Sequence, residues 1–132
     1  MQYLTGILTA LFGLYLILLL VITGVKKDAA TRYFSTFAST AKAHYLEQII
    51  RIAIGASLVV FSSKMLGSWY YNFLGWILIC TSTLLMTIPW KVHHRFGKWA
   101  IPLVIKYVWV YSALAAALGI TILVSIIYPI FN

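Results

Sequence analysis

Residues 3–25 run for the length of a full helix without one charged side chain. At ~1.5 Å per residue the run exceeds what the ~30 Å hydrocarbon layer of a bilayer requires. A chain crossing that layer must satisfy its own backbone N–H and C=O groups, so the run specifies a membrane helix, and the rest of the chain is read as its neighbours. No Lys or Arg precedes it and Lys26 and Lys27 follow it, which predicts a retained span with its N-terminus outside rather than a cleaved secretory signal.

The remaining chain holds three more apolar stretches. Residues 45–65 and 69–90 read as the second and third spans, parted by Lys64 and a Gly67-Ser68 turn signal, and predict a tight hairpin. Residues 99–131 would extend ~50 Å as one helix, too far for a single crossing. The reading therefore divides them near Pro102 and Lys106, giving an interfacial segment at 95–106 and a fourth span at 107–128. Phe34, Phe37, Ala38, Ala41 and Tyr45 recur at helical spacing, as do Phe96, Trp99, Ala100 and Leu103. Segments 28–44 and 95–106 are thus expected to be amphipathic interfacial helices, with Asp28 capping the first. The expected fold is an all-α integral membrane protein, a four-transmembrane-helix bundle forming one membrane domain over residues 1–132.

Charge sets the orientation and the partners. The chain is 63% hydrophobic and only 9% charged, yet ten Lys and Arg stand against two acidic residues, a net charge of +8. In so apolar a chain the anionic partner is membrane lipid, and a soluble nucleic-acid binder is excluded. Lys26, Lys27, Arg32 and Lys42 fall between spans one and two, Lys91, Arg95 and Lys98 between spans three and four, and Lys64 alone in the other loop. That bias predicts an N-out, C-out protein of the bacterial inner membrane whose seven basic loop residues contact anionic headgroups.

Spans one plus two and three plus four each enclose a basic loop. Gly13 and Gly75 are 62 apart, Arg32 and Arg95 are 63 apart, and Gly55 and Gly119 are 64 apart. The steady offset suggests a tandem helical hairpin, although any four-span chain with two inside loops shows charge symmetry. Gly6, Gly13, Gly55, Gly75, Ala115 and Gly119 are the small residues expected to let helices approach closely, within the bundle or between copies.

His44, Glu47, Gln48, Arg51 and Gly55 share one face of the second span, with Glu47 and Arg51 in the favoured i, i+4 order. This candidate intramembrane polar cluster is expected to point into the bundle. It reads either as a structural clasp or as a relay or anion site centred on Glu47 and Arg51. His44, His93 and His94 lie at one level and are the only metal candidates, but no Cys or carboxylate stands beside them at ligand spacing. No metal and no cofactor is expected. Cys80 is alone, and no phosphate loop, nucleophile elbow or paired carboxylate occurs, so an enzyme is the less favoured class. The first span also lacks the embedded Glu of small multidrug-resistance transporters, and no family is assigned. The expectation is an accessory subunit, scaffold or self-assembling component of a membrane complex, likewise a homo-oligomer or part of a larger assembly. The alternative is a small ion or solute transporter or channel.

Overall fold

The computed structural model describes residues 1–35 and 40–132, apart from the side chains of residues 30, 31, 34 and 35. Phe37 and Ala38 of the first amphipathic pattern, and the side chain of Phe34, therefore lie outside the described residues. Six helices follow one another among the described residues: α1 (Gln2–Val25), α2 (Lys27–Ser35), α3 (Ala41–Phe61, continued by a 3-10 turn Ser62–Lys64), α4 (Ser68–Thr87), α5 (Trp90–Lys106) and α6 (Val108–Phe131). No strand occurs among the described residues.

Three of these, α1, α3 with its 3-10 turn, and α6, are long and apolar enough to cross a membrane. The 20-residue α4 reaches that measure only together with α5, from which it is bent by 116°. Pro89 makes the bend. A residue before proline is pushed out of the helical region, and Ile88 is extended at φ −84°, ψ 133°. The third long helix accordingly stops at Thr87, and Trp90, expected at its end, opens α5 instead.

Of the two residues expected to mark the division before the last span, Lys106 ends α5, whereas Pro102 lies inside it on its exposed side. It costs the helix one donor without ending it. The break falls at Tyr107, at φ −109° and ψ 28°, which leaves Tyr107 exposed while Val108 buries completely. At the other connection the Thr40 hydroxyl accepts from Ala43 N–H at 3.1 Å, an N-cap that starts α3 four residues earlier than the apolar pattern implied. Asp28 sits in the first turn of α2 rather than at its cap, still facing the positive helix end.

Two seams carry the packing: α1 lies chiefly on α6 and α3 chiefly on α4, with a lighter α1–α3 contact. Both seams are glycine crossings. A Cβ on Gly119 would stand 2.5 Å from the Gly13 carbonyl oxygen, and one on Gly75 would stand 2.6 Å from that of Gly55. Gly6 faces the Phe61 ring, and Ala115 packs on the buried cluster of Leu16, Leu58, Met65, Tyr71 and Ile122. All six small residues singled out in the sequence thus line internal contacts of a single chain.

The buried positions repeat. His44, Gln48, Gly55 and Leu58 of α3 and Val108, Ser112, Gly119 and Ile122 of α6 are buried and stand 64 apart, pair by pair. Thr9 and Gly13 of α1 match Tyr71 and Gly75 of α4 at 62.

The interior is unusually polar and the exterior apolar. Thr9, Thr23, His44, Gln48, Ser82 and Ser112 are all but fully buried, while Leu11, Leu14, Leu18 and Val21 along α1 are each more than half exposed. A soluble protein distributes these types the other way. Buried hydroxyls bond back to their own helix, Thr9 to the Thr5 carbonyl at 2.8 Å and Ser57 to that of Ala53 at 2.8 Å. Others bond across seams, with Thr23 to Ser112 at 2.8 Å and Tyr71 to Ser125 at 2.7 Å. Leu66 N–H donates to the Ser125 carbonyl at 3.0 Å, so α6 is also tied to the turn between α3 and α4.

Candidate functional site

The polar stripe of α3 separates into two rows. His44 and Gln48 are completely buried, whereas Glu47 and Arg51 keep 21% and 34% of their side chains exposed. The expectation that the charged pair points into the bundle is corrected: the inward row is His44 and Gln48, and the ion pair lines a groove open to the side. A 100° step per residue puts positions 47 and 48 on adjacent faces, and the uncharged row takes the desolvated place because burying a charge costs far more than burying an amide.

The His44 ring holds three elements together. Pro89 has no N–H to offer the Leu85 carbonyl four residues earlier, and His44 Nε2–H donates to that oxygen across the α3–α4 seam at 3.2 Å. With Nε2 protonated, Nδ1 of the neutral ring is an acceptor, and His93 Nδ1–H of α5 donates to it at 2.6 Å. His94 turns away and lies against the Trp90 ring, with centroids 5.9 Å apart. The three imidazoles therefore do not converge, and among the described residues no group of three or more His, Cys, Asp or Glu is placed to hold a metal ion.

Burial holds the His93 pKa below its ordinary 6.5, and the neighbouring His44 and Arg51 add to the effect. A base whose folded pKa is depressed stabilises the fold fully above its unfolded value and loses that contribution as pH falls through the folded one. The thermal unfolding midpoint in detergent is therefore expected to drop as the pH falls below about 7, and His93→Gln to flatten part of that drop. An identical pH profile for the variant would mean that His93 titrates without reference to the fold.

The charged row faces α1. Arg51 Nη1 lies 3.9 Å from Glu47 Oε1, and Arg51 Nη2 donates to the Thr81 hydroxyl of α4 at 3.4 Å. Across from them the hydroxyl of Tyr15 on α1 bonds that of Tyr33 on α2, so α2 turns back toward the bundle. These four polar side chains line a cavity of about 740 Å³ between α1 and α3, among apolar side chains that include Ala43 and Leu46 on one side of Glu47 and Ile54 beyond Arg51.

The seven basic loop residues, Lys26, Lys27, Arg32, Lys42, Lys91, Arg95 and Lys98, are all exposed. They belong to α2, α5 and the adjoining ends of α1 and α3, elements that touch one another at one end of the molecule.

Tyr15, Tyr33, Thr81 and the Leu85 carbonyl join the site without having been singled out in the sequence. One signal existed for Tyr15. A tyrosine in mid-span, away from the interfacial aromatic belts, carries a hydroxyl that needs a partner in hydrocarbon. Comparison of the chain with known protein families, with characterised proteins and with solved structures finds no match.

Proposed function

We propose that the protein is a small non-enzymatic component of a membrane complex, an accessory subunit, scaffold or self-assembling unit. It crosses a bacterial-type inner membrane four times, N-out and C-out, with α1, α3, α4 and α6 as the spans and α2 and α5 at the inner interface. The observation that carries this reading is the gathering of seven exposed cations at one end of an otherwise apolar surface. Each such cation near a charged leaflet adds about 1 kcal/mol of attraction. Lys64 alone lies in the turn at the opposite end.

A tandem duplication fits the same observations. Moving α1 onto α4 and α3 onto α6 exchanges the Gly13–Gly119 crossing for the Gly75–Gly55 crossing, as an axis along the membrane normal would do in a parallel repeat. The assembly role draws support from α6, whose inward small residues Ser112, Ala116 and Gly119 are used inside the chain while Ala113, Ala117 and Thr121 line its exposed side at four-residue intervals.

Extraction in a mild detergent followed by native mass determination tests the proposal. A species heavier than one chain, or one chain with a companion protein, is the expected result. A bare monomer overturns the assembly reading. Transport is the second reading, favoured by the one observation that Glu47 and Arg51 line a cavity. It predicts that Glu47→Gln leaves a folded protein that has lost an ion or solute flux in proteoliposomes.

A further inference from the structure

The groove between α1 and α3 carries a polar band partway along an apolar lining. Along α3 its lining runs from Ala43 to Ile54, which at 1.5 Å per residue is ~16 Å, about half of the ~30 Å hydrocarbon core. Glu47 and Arg51 fall within that length, with Ala43 and Leu46 on one side of them and Ile54 on the other. The polar band holds one carboxylate and one guanidinium, a local charge sum of zero on a chain whose net charge is +8.

The ion pair has no counterpart in the other seam. Positions 64 further on, the equivalents in α6 by burial, are Tyr111 and Ala115, and α6 packs on α1 without an ion pair there. The pair is also loosely engaged. At 3.9 Å from Glu47 and 3.4 Å from Thr81, the guanidinium makes two long contacts from a group with five N–H donors. Side chains of a helix lean toward its N-terminus, so Glu47 and Arg51 lean toward the end that carries α2 and α5, where headgroups of that leaflet would sit.

We infer that this groove binds one zwitterionic phospholipid with a primary amine in its headgroup. The phosphate accepts from Arg51, the ammonium donates to the Glu47 carboxylate, and an acyl chain lies along Leu8, Leu11, Phe12 and Ile54. A trimethylammonium headgroup has no N–H to give Glu47. A glycerol headgroup sets a phosphate beside Glu47 with no cation of its own. The inference rests on the membrane reading above and adds a lipid class that the basic end, which favours anionic headgroups, does not select.

The test is native mass spectrometry of the full chain in mild detergent. Phosphatidylethanolamine, phosphatidylcholine and phosphatidylglycerol with the same acyl chains are added in equal amounts. The expected result is a single phosphatidylethanolamine adduct exceeding either competitor about fivefold or more, the ratio that one hydrogen bond between charged groups supports. Leu11→Trp, at a position 55% exposed and so compatible with the fold, fills the groove and is expected to remove that adduct. Glu47→Gln is expected to remove the preference over phosphatidylcholine while lipid is still bound. Adducts in equal amounts, or a phosphatidylethanolamine adduct that survives Leu11→Trp, overturn the inference. A dominant phosphatidylglycerol adduct that survives Leu11→Trp also overturns it, and leaves the basic end as an anionic-lipid surface intact.

Discussion

Gly119→Ala is expected to destabilise the bundle by about 1–3 kcal/mol, the range found for forcing atoms into a filled interior, while Gly97→Ala stabilises it by about 0.5–1 kcal/mol. The same methyl group is added to a helix in both cases. At Gly97 the nearest atom to the new Cβ is Ile101 Cδ1 at 3.7 Å, an ordinary contact, and the gain is the lower backbone entropy of the unfolded chain. At Gly119 the nearest atoms are the Gly13 carbonyl oxygen at 2.5 Å and Ile17 Cγ1 at 3.0 Å. A backbone oxygen has no rotamer to swing away, so α1 and α6 must separate along the seam and give up dispersion contacts on both sides. Gly75→Ala meets the Gly55 carbonyl at 2.6 Å and is expected to behave like Gly119→Ala. Denaturant or thermal unfolding in one detergent, with Gly24→Ala as a second open-space control at 3.6 Å from Trp109, measures the contrast. A Gly119→Ala protein as stable as Gly97→Ala would mean that the α1–α6 crossing is looser than a glycine contact.

Gln48→Met is expected to act in the opposite direction, stabilising by about 1–3 kcal/mol, the cost of leaving a buried polar group without a partner. Gln48 is fully buried in the α3–α4 seam, and neither its amide oxygen nor its amide nitrogen makes a hydrogen bond of good geometry. Ser82, also fully buried, has an unpartnered hydroxyl. The antiparallel helices cross at Gly55 and Gly75, and Gln48 lies seven residues before the one while Ser82 lies seven after the other. The two side chains are therefore level with each other. Methionine keeps the unbranched shape and discards the amide. Gln48→Glu, which would bury a charge at the same place, is expected to be destabilising or to fail to accumulate. A loss of stability in Gln48→Met would show that an internal water bridges Gln48 and Ser82, and that the seam is held by a polar network rather than in spite of one.

Much of the architecture was legible in the chain because bilayer-spanning helices answer to a local requirement. Each apolar stretch must form its own helix wherever its neighbours lie. The four long helices accordingly fall on the four apolar stretches, and the five glycines that stood out fall at close contacts. Boundaries went astray where capping and proline acted locally: Thr40 started α3 early, Pro89 ended α4 early, and Pro102 ended nothing. The candidate site was half legible. The i, i+4 spacing of Glu47 with Arg51 and of His44 with Gln48 was visible, but which row would be buried was not, since adjacent rows of one helix differ only in what packs on them. The His44–His93 bond joins residues 49 apart in sequence, and it depends on the bend that Pro89 introduces.

By itself, then, the sequence determined the helices, their apolar exteriors, the basic character of two connections and the positions where helices can touch. Only the tertiary structure decided that Gly13 meets Gly119 and Gly55 meets Gly75, rather than some other exchange among four similar glycines. It also decided that the ion pair borders a groove with Tyr15 and Tyr33 instead of filling the centre of the bundle. Local propensity and hydropathy act within one helix, whereas partner choice is set by the fit of two surfaces and by which polar groups find mates there. Those quantities exist only once the helices are side by side.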